Sequence, residues 1–171
     1  LLVVWLSYIG GAMTIAKRVE HYLFENHIRF ETLAHLKSSS SLGSAISSNV
    51  PLRSLVKAVV LIDHEGRRLM AVLPANAKVN LVTINHELYG EYRLATEEEL
   101  SDIFRDCSLG AIPPIAEAYN MSYVCDKQLD HQNVLYFEAG DHETLIKVDH
   151  HAFESMVSNG KHLSFSRPVY H

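Results

Sequence analysis

The run K-A-V-V-L-I-D-H-E-G-R-R-L-M-A-V-L-P, residues 57–74, constrains the fold more than any other part of the chain. Two segments rich in Val, Leu and Ile flank H-E-G-R. β-Branched and large apolar side chains suit a pleated surface, and the glycine suits the turn between them. The pair predicts a β-hairpin. M-S-Y-V-C-D, N-V-L-Y-F-E-A-G and E-T-L-I-K-V-D predict three further strands, and I-R-F-E-T-L-A-H an earlier short one.

Helical signals are interspersed with these strands. Ile15, Val19, Tyr22 and Leu23 recur at helical spacing from Thr14, a suitable N-cap, to about His27. In S-S-S-S-L-G-S-A-I-S-S-N, Leu42, Ala45 and Ile46 keep the i, i+3, i+4 pattern of a short helix that Val50-Pro51 stops. Thr96 and Glu99 stand three apart, as a capping box requires. H-A-F-E-S-M-V closes as a helix before Asn159-Gly160, whereas V-N-L-V-T-I-N-H-E-L suits helix or strand equally. Strands joined by short turns and mixed with helices predict an α+β fold with a mixed, largely antiparallel sheet and flanking helices.

The 171 residues, 47% hydrophobic and 20% charged, suit one globular domain. The two cysteines, Cys107 and Cys125, are too few for a disulfide framework and read as free thiols of a reducing, cytoplasmic compartment. Residues 1–12 are apolar and uncharged, too short for a membrane span of about 20 residues, and lack the features of a secretory signal. They read as a non-native or mis-assigned extension, with Met13 as the natural start and 13–171 as the domain. Residues 13–93 carry ten Lys/Arg against seven Asp/Glu, and residues 94–171 five against thirteen. The balance argues for light, local contact with a polyanion rather than a long groove on a duplex.

Three features carry chemistry. Lys57 heads an apolar strand; such a lysine either snorkels to solvent or is aimed into a cleft, where it grips a phosphate or ribose hydroxyl. In D-C-S-L-G-A-I-P-P-I, two prolines stiffen the chain beside Gly110, whose backbone permits close approach of a ligand. Amides converging there can hold an oxyanion; the plain reading is a connection between two elements. A-G-D-H-E, residues 139–143, reads as a strand-to-strand turn, or as a place where His142 serves as a general base or pocket wall. Cys107, beside the proline segment, is either a nucleophile or, more in keeping with its surroundings, a buried structural thiol. The histidines offer no metal spacing with a third ligand nearby.

The order of these features resembles the YbaK/prolyl-tRNA-synthetase-associated family of aminoacyl-tRNA editing domains. The likeness covers residues 13–157 and rests on His35, the serine-rich stretch, Val50-Pro51, Lys57 in K-A-V-V-L, Gly110-Ala111-Ile112-Pro113-Pro114, and A-G-D-H-E. It implies a barrel-like α+β core and hydrolysis of the ester joining a wrong amino acid to its tRNA, usually alanine or cysteine on proline tRNA. Carried over, Lys57 fixes the terminal adenosine or its phosphate, and Gly110 amides hold the ester carbonyl. His35, Ala111, Ile112, Pro113, Pro114, Gly140, Asp141 and His142 contact substrate. The family's attack leans on the ribose 2′-hydroxyl, so the resemblance implies no metal and no cofactor. Partners would be the aminoacyl-adenosine end of mischarged tRNA and a synthetase. Ala58, and Ile115-Ala116 after the loop, depart from many relatives and bear on which amino acid is removed.

Two readings compete with the deacylase. One is a non-catalytic module binding a small ligand or a protein through the same pocket. The other is a metal-dependent hydrolase built on Asp141, His142 and His150.

Overall fold

The computed structural model of the protein describes residues 15–36, 43, 45 and 49–169. In chain order the elements begin with α1 (Lys17–Glu25), β1 (Glu31–Ala34), β2 (Leu55–Ile62), β3 (Arg68–Pro74), β4 (Ala77–Val79), α2 (Leu81–Leu88), β5 (Arg93–Leu94) and α3 (Glu97–Ile103). A 3₁₀ turn (Ala116–Tyr119), β6 (Ser122–Asp126), a second 3₁₀ turn (Lys127–His131), β7 (Val134–Glu138) and β8 (Thr144–Asp149) follow. The last elements are α4 (His150–Met156), β9 (Lys161–Leu163) and β10 (Ser166–Pro168).

The hairpin expected from residues 57–74 is the centre of the fold. β2 and β3 pair antiparallel from Val56↔Pro74 to Ile62↔Arg68. Asp63 organises the turn: its Oδ1 accepts from the amides of Glu65 (2.9 Å) and Arg67 (2.8 Å), and its Oδ2 from Arg67 Nε (2.7 Å). Gly66 takes the left-handed conformation there, at φ +79°. The eight-stranded sheet runs β1-β8-β7-β2-β3-β6-β9, with β5 joined to β2. The β2/β7, β3/β6 and β6/β9 pairs are parallel, and the remaining pairs of this sheet antiparallel. β1 and β9 end it as separate edges, so the sheet is open where the sequence suggests a barrel-like core. β4 and β10 form a small second sheet.

Both faces of the central strands are covered. Val56 and Val60 of β2 belong to the larger core with Val19 and Leu23 of α1, Phe137 and Ile146 of the sheet, and Phe153 of α4. Leu61, on the other face, packs with Leu73, Ile84 of α2, Val124 and Phe165. Such double burial is why β2 and β3 read as near-continuous apolar runs.

The helices settle several expectations. α1 begins at Lys17, with Ala16 as its cap and the Ala16 N–H donating to Ala139 O (2.8 Å). Thr14 lies outside the described residues, as do residues 1–12 and most of the serine-rich stretch. In that stretch Ala45 is described, and it packs with Val50, Leu55 and Leu145. The ambiguous run 79–88 is helical over α2, because Asn80 Oδ1 accepts from the Thr83 amide (3.4 Å) and caps it. At α3 the capping box is complete: Glu99 N–H donates to Thr96 Oγ1 (3.2 Å) and Thr96 N–H to Glu99 Oε2 (2.8 Å). The Arg93 guanidinium adds two hydrogen bonds to the same carboxylate (2.9 and 2.8 Å) and, with the Thr96 amide, brings it down to about 2.

Replacing the cap tests this reading of α3. Thr96→Ala is expected to lower unfolding stability by about 1 kcal/mol in urea denaturation, and an unchanged midpoint contradicts it.

Candidate active site

One interruption of the sheet sets the geometry of the site. β7 pairs with β2 only at Leu55↔Tyr136 and Val56↔Phe137. β5 takes up the same side of β2 at Leu61↔Leu94, with Ala95 N–H donating to Val60 O (2.9 Å). Between these attachments Lys57, Ala58 and Val59 have no ladder partner on that side among the described residues. They are also the three half-buried residues in an otherwise buried strand. Among the described residues the middle of β2 is therefore a gap in the pairing between β7 and β5.

The β7–β8 turn borders this gap. The β2–β7 register, carried on past Phe137, brings Ala139 and Gly140 level with the uncovered residues of β2. Gly140 adopts φ +120°, and a Cβ there would stand 2.9 Å from Ala16 Cβ and 3.4 Å from Cys107 Sγ. Only glycine lets α1 and the segment around Cys107 close onto the turn at this point. Asp141 holds the turn's shape: its Oδ1 accepts from the amides of Glu143 (2.9 Å) and Thr144 (2.8 Å), and its Oδ2 from Thr144 Oγ1 (3.0 Å). His35, whose side chain is fully buried, extends β1 through an N–H···O bond to Glu143 (2.8 Å) and places its Nε2 3.7 Å from Glu138 Oε2.

The glycine–proline segment is fastened to this turn at two points. Ser108 N–H donates to Gly140 O (2.7 Å), and His142 Nε2 donates to Leu109 O. Within the segment Ala111 N–H donates to Ser108 O (3.0 Å), while Gly110, at φ +81°, is exposed and its N–H donates to no described protein group. Ala111, Pro113 and Pro114 are buried and Ile112 half-buried. Leu100, Phe104, Cys107, Gly110 and Ile112 line a cavity of about 110 Å³ beside the turn. A larger cavity of about 550 Å³, among Asp63, His64, Arg68, Tyr89 and Tyr92, lies at the other end of β2 from Lys57.

His142 carries the most informative chemistry. It is 6% exposed and adopts φ +61°, a left-handed conformation that costs a non-glycine residue on the order of 1–3 kcal/mol. A carbonyl only accepts, so the ring nitrogen facing Leu109 O must carry the proton. The other nitrogen, Nδ1, is then a lone pair, and it is buried without a hydrogen-bond partner. A buried acceptor left unmatched is unusual unless something else is to bind it.

Lys57 lies apart from the glycine–proline segment. Alternation along β2 turns it to the side of Val59 and Leu61, whereas Ile112 packs with Ala58 against the opposite core. Its Nζ donates to Ala75 O (3.5 Å), and burial, then nearby Lys78, lowers its pKa. Lys57 and the glycine–proline segment thus approach β2 from opposite faces of the sheet, and the cavity beside the segment is not lined by Lys57.

Cys107 takes the structural role. Its Sγ lies 3.2 Å from the Tyr119 hydroxyl, which donates to Asp106 Oδ1 (3.0 Å), and burial pushes the thiol up to about 12. The metal-dependent hydrolase is not assembled. His150 stands beyond the far end of β8, its Nδ1 at 3.0 Å from Gln132 O, and six strand residues separate it from the Asp141–His142 turn, roughly 20 Å at about 3.3 Å per residue.

The fold is thus an open mixed α+β sheet with a glycine–proline segment fastened to the β7–β8 turn beside its interrupted central strand. The chain belongs to the aminoacyl-tRNA editing domain family, whose model matches residues 35–155. That span holds each expected site residue from His35 to His142. Among solved structures, the hypothetical protein APE2540 superposes with a TM-score of 0.78 at 18% identity, covering 88% of this chain and 100% of that one. A proposed trans-editing enzyme for prolyl tRNA synthetase superposes at 0.75 and 16% identity, covering 89% and 96%. A proposed signal transduction protein from Marinobacter aquaeolei VT8 superposes at 0.71 and 17% identity, covering 87% of this chain but 30% of its own. No curated protein sequence matches. Among the described residues no helix is long and apolar enough to cross a membrane.

Two substitutions test this geometry. Gly140→Ala is expected to destabilise the protein by about 1–3 kcal/mol, measured by urea denaturation; wild-type stability contradicts the close packing on Ala16. Cys107 is expected to react with a maleimide at pH 8 at least about 100-fold more slowly in the folded than in the urea-unfolded protein. Equal rates contradict its assignment as an inert thiol.

Proposed function

We propose that the protein is an aminoacyl-tRNA deacylase that hydrolyses the ester of mischarged tRNA, with alanine or cysteine on proline tRNA as the substrates to try first. The observation that carries the reading is the bare, buried Nδ1 of His142, clamped through its other nitrogen to the segment that presents the Gly110 amide.

The reaction needs little else. An aminoacyl ester is already activated, so positioning and oxyanion stabilisation supply most of the acceleration. In this reading the terminal adenosine enters at the gap in the sheet. The Gly110 N–H donates to the ester oxygen as it becomes an oxyanion, and the prolines hold that amide in place. Nδ1 of His142 accepts the hydrogen bond of the ribose 2′-hydroxyl and orients it. Water attacks the carbonyl carbon and the C–O3′ bond breaks. The water's proton passes through the 2′-hydroxyl to the departing O3′. Because Nδ1 is buried, the ribose reaches it only when the groups that cover it draw back while the bond from Nε2 to Leu109 O holds. Lys57 approaches from the other face and pairs with the terminal phosphate, which offsets the desolvation that lowers its pKa.

Such an enzyme has a physical rationale. A synthetic pocket discriminates one methylene by only about 1–3 kcal/mol, so a second site that admits small side chains supplies the missing selectivity.

A panel of mischarged tRNAs tests the proposal. Purified protein is expected to release alanine or cysteine, and Lys57→Ala to lose most of the activity. His142→Gln is expected to lower kcat by about 100-fold with KM little changed. Unchanged turnover in Lys57→Ala removes that residue from the site, and tRNA binding without ester loss identifies a non-catalytic module.

A further inference from the structure

Cys125, Asp130 and His162 form a second polar cluster on elements that the candidate active site does not use. Cys125 and His162 are Cα partners in the parallel β6/β9 ladder, so adjacent strands present them on one face, and Asp130 reaches them from the 3₁₀ turn after β6. One ligand atom from each lies within 4.8 Å of the other two.

The bonding of His162 shows what the cluster lacks. Its Nε2 lies 2.9 Å from Val157 O, and its Nδ1 2.7 Å from Asp130 Oδ1. The carbonyl accepts only, so Nε2 carries the proton. A neutral ring would then turn the Nδ1 lone pair onto a carboxylate oxygen. A positive charge must lie between these two atoms, either as a second ring proton or as a metal ion. With a second ring proton the Cys125 thiol keeps its weak hydrogen bond to Asp126 O (3.8 Å), whereas a metal would use all three donors. Fixing one imidazole nitrogen on a backbone carbonyl while the other faces the ion is the usual support of a metal-ligating histidine.

We propose that Cys125 Sγ, Asp130 Oδ1 and His162 Nδ1 bind one zinc ion, with water as the fourth ligand. Sulfur, imidazole and carboxylate donors together suit zinc rather than magnesium or calcium. Bonds of about 2.0–2.3 Å in a tetrahedron place ligands roughly 3.3–3.6 Å apart. The His162–Asp130 pair at 2.7 Å has to open, and donor atoms up to 4.8 Å apart have to close in; Asp130, whose side chain is 37% exposed, has room to move. Binding releases the Cys125 thiol proton. The ion would fasten β9, an edge strand, to β6, so its role is stability and not ester hydrolysis. The site stands or falls independently of the deacylase reading.

The full-length protein, freed of metal by chelation, provides the test. Titration with Co²⁺ is expected to saturate at one ion per chain, with a near-ultraviolet thiolate-to-cobalt band. That band should persist in Cys107→Ala, vanish in Cys125→Ser, and disappear from wild type when Zn²⁺ is added. Zinc at 100-fold above its Kd should raise the melting temperature by about 5–10 °C, a readout that needs no variant. Absence of both the band and the shift, with His162 protonated on both ring nitrogens by NMR, overturns the proposal and leaves a plain His–Asp ion pair.

Discussion

β2 cannot satisfy one of its sides with a single neighbour, and the rest of the site depends on this. β7 runs parallel to it and pairs for two positions before giving way; β5, only two residues long, resumes the pairing near the strand's end. A sheet closed at that place would bury Lys57, Ala58 and Val59 as fully as the residues on either side of them. In the proposed deacylase a small ligand at this place would meet strand backbone, the β7–β8 turn and the glycine–proline segment together. Gly110, Gly140 and His142, all with positive φ, border this opening, while others such as Tyr89 and Asn120 end helices. Such conformations persist only where the surrounding structure holds them, and they concentrate at binding and catalytic sites.

The surrounding structure here is α1 and the Asp106–Cys107–Tyr119 network. Ala16 lies against Gly140, and the Arg18 amide donates to Asp106 Oδ2 (3.1 Å). The Arg18 guanidinium sits 5.4 Å from the centroid of the Tyr119 ring, and the Phe104 ring 4.5 Å from it. The contact at Gly140 fixes the turn, and those at Asp106 and Tyr119 fix the chain on either side of Pro113-Pro114. The prolines are therefore the last part of a brace that begins at the first helix, and Cys107 belongs to that brace and not to the chemistry.

Much of the fold was legible in the residues themselves. The hairpin announced itself through two apolar runs around H-E-G-R, and α3 through Thr96 and Glu99, because both signals are local. β4, β5, β9 and β10 were not legible: two or three residues show no periodicity, and only their partners make them strands. The barrel-like closure suggested by resemblance failed for the same reason, since β1 and β9 are short and, among the described residues, each pairs on one side alone. At the site, the glycine–proline segment and the A-G-D-H-E turn stood out by composition. Their contact did not, because His142 and Leu109 are 33 residues apart. Nor does any local pattern show that Lys57 and Ile112 pack on opposite faces, or that Cys125 meets His162. Those facts come from register.

In the proposed deacylase an aminoacyl-adenosine binds at the unpaired centre of β2. The most direct measurement is an NMR titration with a non-hydrolysable alanyl-adenosine, its ester oxygen replaced by an amide nitrogen. Backbone amides of residues 57–59, Gly110 and residues 140–142 are expected to shift together and saturably. Shifts confined instead to the Asp63–Tyr92 cavity at the far end of the hairpin would place the ligand elsewhere and contradict the account.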